Sequence, residues 1–230
     1  MRIKNKTVVI GAIVAAILAL STLLFFSMSS TSDAPAQKHT ALQKQALGQT
    51  QSADHSNFVR FHSPRFGNTS SRVTVVEWLD PECEGCRAIH PSFERIMSEY
   101  SNQVQFVIRY MPFHRNSMYA ATALEEAREL GKFKEALDLI FEKQPEWGSH
   151  RAPRPDLIPV YLSQLGIPKE KLESAYLLQK HGAKIRLDEE DGLKVGVRAT
   201  PSFFVNGQPL AELGEQQLRA AIVKALRETQ

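Results

Sequence analysis

The sequence predicts an α/β domain, and three stretches carry that prediction. Val73 to Leu79 is a short apolar, β-branched run that ends in a turn holding both cysteines, Cys83 and Cys86, and then changes to helical spacing. Residues from about 113 to 193 are dominated by helical periodicity. Near the C-terminus, Ser202-Phe-Phe-Val205 and Gln208 to Leu210 flank Asn206-Gly207, the strongest short hairpin signal, ahead of an amphipathic helix from about Glu215 to Leu226.

With 230 residues and 43% hydrophobic content, the chain has material for one packed domain plus appendages and is not disordered throughout. The formal charge of +3 comes from Arg2, Lys4 and Lys6, which precede any acid; without them the 28 basic residues fall to 25, the number of acidic ones. A neutral body gives no electrostatic case for nucleic acid.

That basic N-terminus runs into an uncharged apolar segment, residues 8–26. Its length is close to the roughly 20 residues a spanning helix needs and exceeds the ~7–15-residue core of a cleaved secretory signal. The expectation is therefore a signal anchor over residues 1–26, single-pass, with its basic end in the cytoplasm. Cleavage near Ser27-Met28-Ser29, giving a free periplasmic form, is the alternative. Either way the rest of the chain is exported. Residues 27–57, rich in Ser, Thr, Gln and Ala, read as a flexible tether, and residues 58–230 as the folded domain.

Within that domain, Phe58 to Phe61 reads as a short edge strand and Pro64 to Ser71 as loop. Val73 to Leu79 is a buried strand that carries Glu77 in its interior. From Gly85 onward, Ile89, Phe93, Ile96 and Met97 recur at steps of three and four, so Cys83 falls at or just before a helix start. Val104 to Tyr110 is a second strand, ended by Met111-Pro112. Helices follow from about Ser117 to Leu130 and through Phe133, Ala136, Leu137, Ile140 and Phe141, separated by Gly131. After a proline-rich loop from Pro145 to Pro155, they resume at about Leu157–Leu165, Pro168–Leu178 and Ala183–Leu193.

Export changes what two cysteines mean, because thiols outside the cytoplasm tend to be oxidised. A structural bridge over two intervening residues would restrain the unfolded chain little. A structural zinc site wants four ligands, and no second Cys pair or closely spaced His pair accompanies Cys83 and Cys86. A redox pair is the better reading. At a helix start, unpaired N–H groups and the macrodipole favour the thiolate of Cys83, while Cys86, one turn later, can resolve a mixed disulfide.

Strand, Cys-bearing helix, strand, helical insertion, hairpin and helix form a recognisable order. The chain resembles the DsbA-like branch of the thioredoxin superfamily. The resemblance rests on Val-Val-Glu-Trp and Cys-Glu-Gly-Cys in Val73 to Cys86, on the helical tract Phe113 to Leu193, and on Gly196-Val-Arg-Ala-Thr-Pro-Ser-Phe-Phe-Val-Asn-Gly207. It implies a thioredoxin-like fold with a helical insertion at about 113–193 and the activity of a protein thiol-disulfide oxidoreductase. By the same resemblance Cys83 is the nucleophile, Cys86 the resolving thiol, and Glu77 the buried acid that moves a proton to or from Cys86. Thr200-Pro201 would be the cis-proline loop that pairs with substrate. Pro91 falls where thioredoxins kink the active-site helix. The implied partners are exported protein thiols or disulfides and a membrane redox protein that recycles the pair, with no cofactor and no metal.

Departures bear on direction. This chain has Glu84-Gly85 between its cysteines, where strong oxidants of the family have proline and histidine. Asp80, Glu82 and Glu84 put negative charge beside Cys83, which should disfavour its thiolate and leave a couple of intermediate potential. Reductase or isomerase action thus stands beside oxidase action, and a membrane-tethered metal-binding protein using the same thiols is the alternative from another class. His114, Trp147 and His150 read as loop residues with no convergent spacing.

Overall fold

The computed structural model describes residues 55–229. The expected anchor, and the tether up to residue 54, lie outside that range. Among the described residues no helix is long and apolar enough to cross a membrane.

Five strands form one sheet in the order β1-β3-β2-β4-β5: β1 Arg65–Gly67, β2 Thr74–Leu79, β3 Gln105–Tyr110, β4 Ser202–Val205 and β5 Gln208–Pro209. Central β2 runs parallel to β3 and antiparallel to β4, with Glu77 opposite Ile108 on one side and Phe203 on the other. Parallel strands need a crossover, and helix α2, Glu84–Glu99, supplies it between β2 and β3.

Strand period sorts β2 into two faces. Val75 and Leu79 enter a core with Cys86, Phe93 and Ile96 of α2. Val76 and Trp78 enter a smaller core on the other face with Val107, Met111, Val197 and Phe204. Glu77 keeps step with Val75 and Leu79 and is therefore directed at the active-site helix.

The segment expected as an edge strand is different in kind. His55–Phe58 is a single helical turn, α1, whose first three residues fall within the expected tether. Phe58 is 3% exposed and its ring meets Trp78 at 5.6 Å and Phe204 at 5.2 Å. Its apolarity serves the smaller core and not strand pairing. The edge strand is instead β1, in the stretch expected as loop, antiparallel to β3. Gly67, at φ +73°, ends it where a Cβ would stand 2.4 Å from the Val104 carbonyl oxygen, so only glycine fits there.

The helical insertion comprises α3 Ser117–Glu129, α4 Phe133–Glu142, the turn α5 Gln144–Trp147, a 3₁₀ turn at Pro155–Leu157, α6 Ile158–Ser163, a second 3₁₀ turn at Lys169–Leu172, and α7 Ser174–Lys194. Where two helices were expected between Pro168 and Leu193, α7 is continuous through Gly182, with Leu177, His181, Ile185 and Asp188 forming its buried stripe. Helix α8, Glu215–Glu228, packs Leu218, Ile222 and Ala225 inward and closes the domain.

Behind β3 lies a buried ionic network. Arg109, fully buried, donates from Nε to Asp188 Oδ1 at 2.8 Å and from Nη2 to Asp191 Oδ2 at 2.7 Å. Arg60 holds Asp191 from the other side, and His62 Nε2 lies 2.8 Å from Asp188 Oδ1. The network ties the N-terminal arm and α7 to the sheet.

Candidate active site

Strand β2 delivers the chain into the turn Asp80-Pro81-Glu82, and Cys83 is the N-cap of α2. Both cysteines are free thiols in this structure. Cys83 is 9% exposed, and Cys86 is fully buried with the Asp80 backbone N–H donating to its Sγ at 3.4 Å. The Cys83 Sγ lies 3.2 Å from the Thr200 carbonyl oxygen, and the Thr200-Pro201 peptide is cis. At Gly85 a Cβ would meet Pro201 Cδ at 3.2 Å and Cys83 Sγ at 3.6 Å, so glycine lets the proline loop lie close over the motif. The four sequence-nominated positions at the motif and the cis-proline loop thus meet in one place.

Glu77 stands behind them, 3% exposed. Burial, and secondarily the charges of Cys83 and Glu94, raise its carboxyl to about 8. It lines a cavity of about 10 Å³ together with His90, Glu94 and Lys134, near the room a single water needs. The two thiols are driven apart. Cys83 falls to about 5, chiefly because the Cys86 thiol hydrogen-bonds to it; burial opposes the drop, while Thr200 and the backbone at Cys86 and Gly85 assist it. Cys86 rises, through burial first and then the hydrogen bond to Cys83 and the nearby Glu77 charge. One thiol is thus poised to be ionised at neutral pH and its neighbour to be protonated.

Of the three acids expected to oppose the thiolate, Glu84 stays exposed in the first turn of α2, while Asp80 and Glu82 direct their carboxylates at the insertion. Asp80 is fully buried and turned away into the loop after β3: its Oδ2 accepts from the N–H of Phe113 at 2.8 Å and of His114 at 3.1 Å, and lies 2.7 Å from His114 Nδ1. Its Oδ1 accepts from Glu82 N and from the Ser117 hydroxyl. Glu82, 4% exposed, accepts from Asn116 N and Nδ2, both at 2.7 Å. Their oxygens are taken up in holding the insertion against the turn.

Gln144, which no sequence motif marks, does similar work: its Nε2 donates to the carbonyls of Pro81 and Cys83, and its Oε1 accepts from Arg87 Nε. Arg87 is therefore committed to the insertion. His114 and His150 do converge, with ring centroids 5.8 Å apart. Burial disfavours the His114 cation, but the hydrogen bond and charge of Asp80, with Cys83 and Glu82 beyond, outweigh that and raise its pKa.

The family model described as Thioredoxin matches residues 61–224. Disulfide bond formation protein D of Bacillus subtilis is 25% identical over 171 residues, covering 71% of this chain and 77% of that protein. The crystal structure of oxidised BdbD from Bacillus subtilis superposes with a TM-score of 0.65 at 25% identity, covering 72% of this chain and 94% of that one. The chain belongs to the DsbA-like thiol-disulfide oxidoreductases of the thioredoxin superfamily. A sodium/proton antiporter NhaA of Herminiimonas arsenicoxydans is 28% identical over 165 residues, but the chain spans only 25% of that protein's length.

In this DsbA-like site the lowered Cys83 has a direct readout. The rate of Cys83 alkylation in the reduced protein is expected to rise through about pH 5 and level off near neutrality, where an ordinary thiol rises around 8.5. A midpoint above about 7.5 in a Cys86-intact protein would show that the thiolate is not stabilised.

Proposed function

We propose that the protein is an exported thiol-disulfide oxidoreductase that exchanges disulfides with protein substrates through Cys83 and Cys86, tethered to the membrane by residues 8–26 with its folded domain on the periplasmic side. The observation that carries this reading is geometric: Cys83 caps α2 with its Sγ 3.2 Å from the carbonyl of Thr200 in the cis-proline loop, and Cys86 is buried one turn behind it, an arrangement that lowers the first thiol and raises the second.

In the oxidising direction a substrate thiolate attacks Cys83 Sγ. The Cys83–Cys86 bond breaks, and Cys86 leaves as a thiolate that needs a proton; Glu77, kept protonated at neutral pH by its burial, is the donor. A second substrate thiolate then attacks the substrate sulfur of the mixed disulfide and expels Cys83, a good leaving group because its thiolate is stabilised. Two electrons pass from the substrate dithiol to the protein, and a membrane partner that takes them up restores the disulfide. Run backwards, the same steps reduce a substrate disulfide. Stabilisation of the Cys83 thiolate favours the reduced protein, and so supports the oxidising direction over reductase or isomerase action. The cis Thr200-Pro201 loop, against Cys83, is the assigned seat of the substrate backbone.

The order of attack is testable with single thiols. Cys86→Ser mixed with a disulfide-bonded protein substrate should accumulate a mixed disulfide on non-reducing gels after thiol quenching, and Cys83→Ser should accumulate little. Equal trapping by both variants would remove the assigned polarity.

A further inference from the structure

An open cleft of about 270 Å³ adjoins the motif on the side of the helical insertion, its wall including Glu82, His114, Arg115, Ser149, His150 and Arg151. We infer that this cleft is a substrate subsite that takes an acidic stretch of polypeptide, Asp or Glu side chains next to the cysteine undergoing exchange. The inference rests on the oxidoreductase reading above and adds to it a substrate class.

The two arginines carry the argument. Arg115 comes from the loop between β3 and α3, and Arg151 from the loop after α5; both are exposed, and among the described residues neither has a hydrogen-bond or ion-pair partner. Elsewhere Arg60, Arg95, Arg109, Arg128, Arg154 and Arg219 each hold a carboxylate. Two arginines lining one cleft, unpaired among the described residues, offer the planar, two-pronged donors that carboxylates fit. His114 and His150 line the same cleft with ring centroids 5.8 Å apart, and the Asp80 contact favours the His114 cation.

The acids nearby leave the N–H groups of both arginines open to a ligand, because their oxygens are engaged elsewhere. Glu82 is 4% exposed with both oxygens accepting from Asn116, and Asp80 is fully buried. The exposed acid is Glu84, whose Oε1 lies 3.9 Å from His150 Nε2. Thr200 and Pro201 are not part of the cleft wall, so substrate backbone at the proline loop and substrate charge in the cleft are separate contacts. Glu82, which walls the cleft, immediately precedes Cys83, so a peptide held at Cys83 has its flanking residues within reach of the arginines.

The test uses two disulfide-bonded peptides that differ only in carrying acidic residues or lysines around the cysteine, reacted with the full-length reduced protein under rapid quench. At low salt the acidic peptide should form the mixed disulfide about five- to tenfold faster, and about 0.5 M salt should reduce the ratio to about two or less. The double variant Arg115→Gln/Arg151→Gln should lose the preference at low salt, while Arg115→Lys/Arg151→Lys should keep part of it. Equal rates for the two peptides, or an undiminished preference in the Gln variant, would overturn the subsite while the oxidised protein is still reduced by dithiothreitol. An oxidised protein whose Cys83–Cys86 disulfide dithiothreitol does not reduce would overturn the oxidoreductase reading, and the subsite with it.

Discussion

Replacing Arg109 by Met is expected to lower the stability of the domain by about 3–5 kcal/mol, a large part of what a domain of this size has. Asp188 and Asp191 are both fully buried and both hold Arg109. Without the guanidinium, Asp191 retains Arg60 and Lys194, while among the described residues Asp188 keeps only His62 and the backbone N–H of Tyr110. Two carboxylates in a low-dielectric site would then share less cationic charge than they need, and breaking one member of a buried pair costs far more than replacing the whole set. The loss should also reach the N-terminal arm, because Arg109 Nη1 donates to the Asn57 carbonyl at 2.6 Å. Urea unfolding monitored by Trp fluorescence measures the change, since Trp78 lies in the same smaller core and the Arg109 guanidinium sits 5.4 Å from its ring. A loss under about 1 kcal/mol would mean that water or rearrangement compensates the acids.

What could be read from the chain was what depends on local period and local chemistry. The Cys-bearing helix and the last helix each bury one face and so leave a 3.6-residue signature, whereas β2, buried on both faces, shows as a short apolar run and the hairpin is marked by its Asn206-Gly207 turn. β1 has only Arg65, Phe66 and Gly67, too few for any period, and is held by pairing with β3 and the close approach of Gly67. Phe58 looked like strand material because apolarity alone cannot say whether a side chain serves a strand face or plugs a core. In the site, the cysteine pair and its proline loop were legible because both are short motifs. For Asp80 and Glu82 the limit is different: sequence gives their proximity to Cys83 but not the direction of their carboxylates. Asp80 and Glu82 point to Phe113, His114, Asn116 and Ser117, partners that only the fold brings near. The same holds for His114 with His150 and for Gln144, which come from separate loops and turns of the insertion.

Glu77→Gln is expected to stabilise the reduced protein by about 3 kcal/mol at pH 7 while slowing the step at Cys86 by about a hundredfold or more. The stability half follows from where the proton sits. Folded Glu77 titrates at about 8 against an ordinary 4.5, so between those values the folded chain holds a proton that the unfolded chain has released. Stability due to this residue is undiminished below about pH 4.5, falls by about 1.4 kcal/mol per pH unit as pH rises through the window, and reaches its floor above about 8. Gln is neutral throughout, so the variant should match the parent near pH 4, exceed it increasingly toward pH 8 and stay ahead beyond. Burial is the largest cause of the elevation and the Cys83 charge the next, so forming the disulfide should shrink the gain without abolishing it. The kinetic half has the opposite sign. Cys86 is buried and its pKa raised, so it must gain or lose a proton in each exchange, and Glu77 is the nearby carboxyl whose own pKa lies near neutrality. Gln cannot exchange that proton. Rapid mixing of a preformed mixed disulfide, followed at several pH values, reads the second effect, and denaturant melts of reduced and oxidised protein read the first. A stability difference that does not vary with pH would show that Glu77 is ionised in the folded chain, and the proton would then have to reach Cys86 from elsewhere.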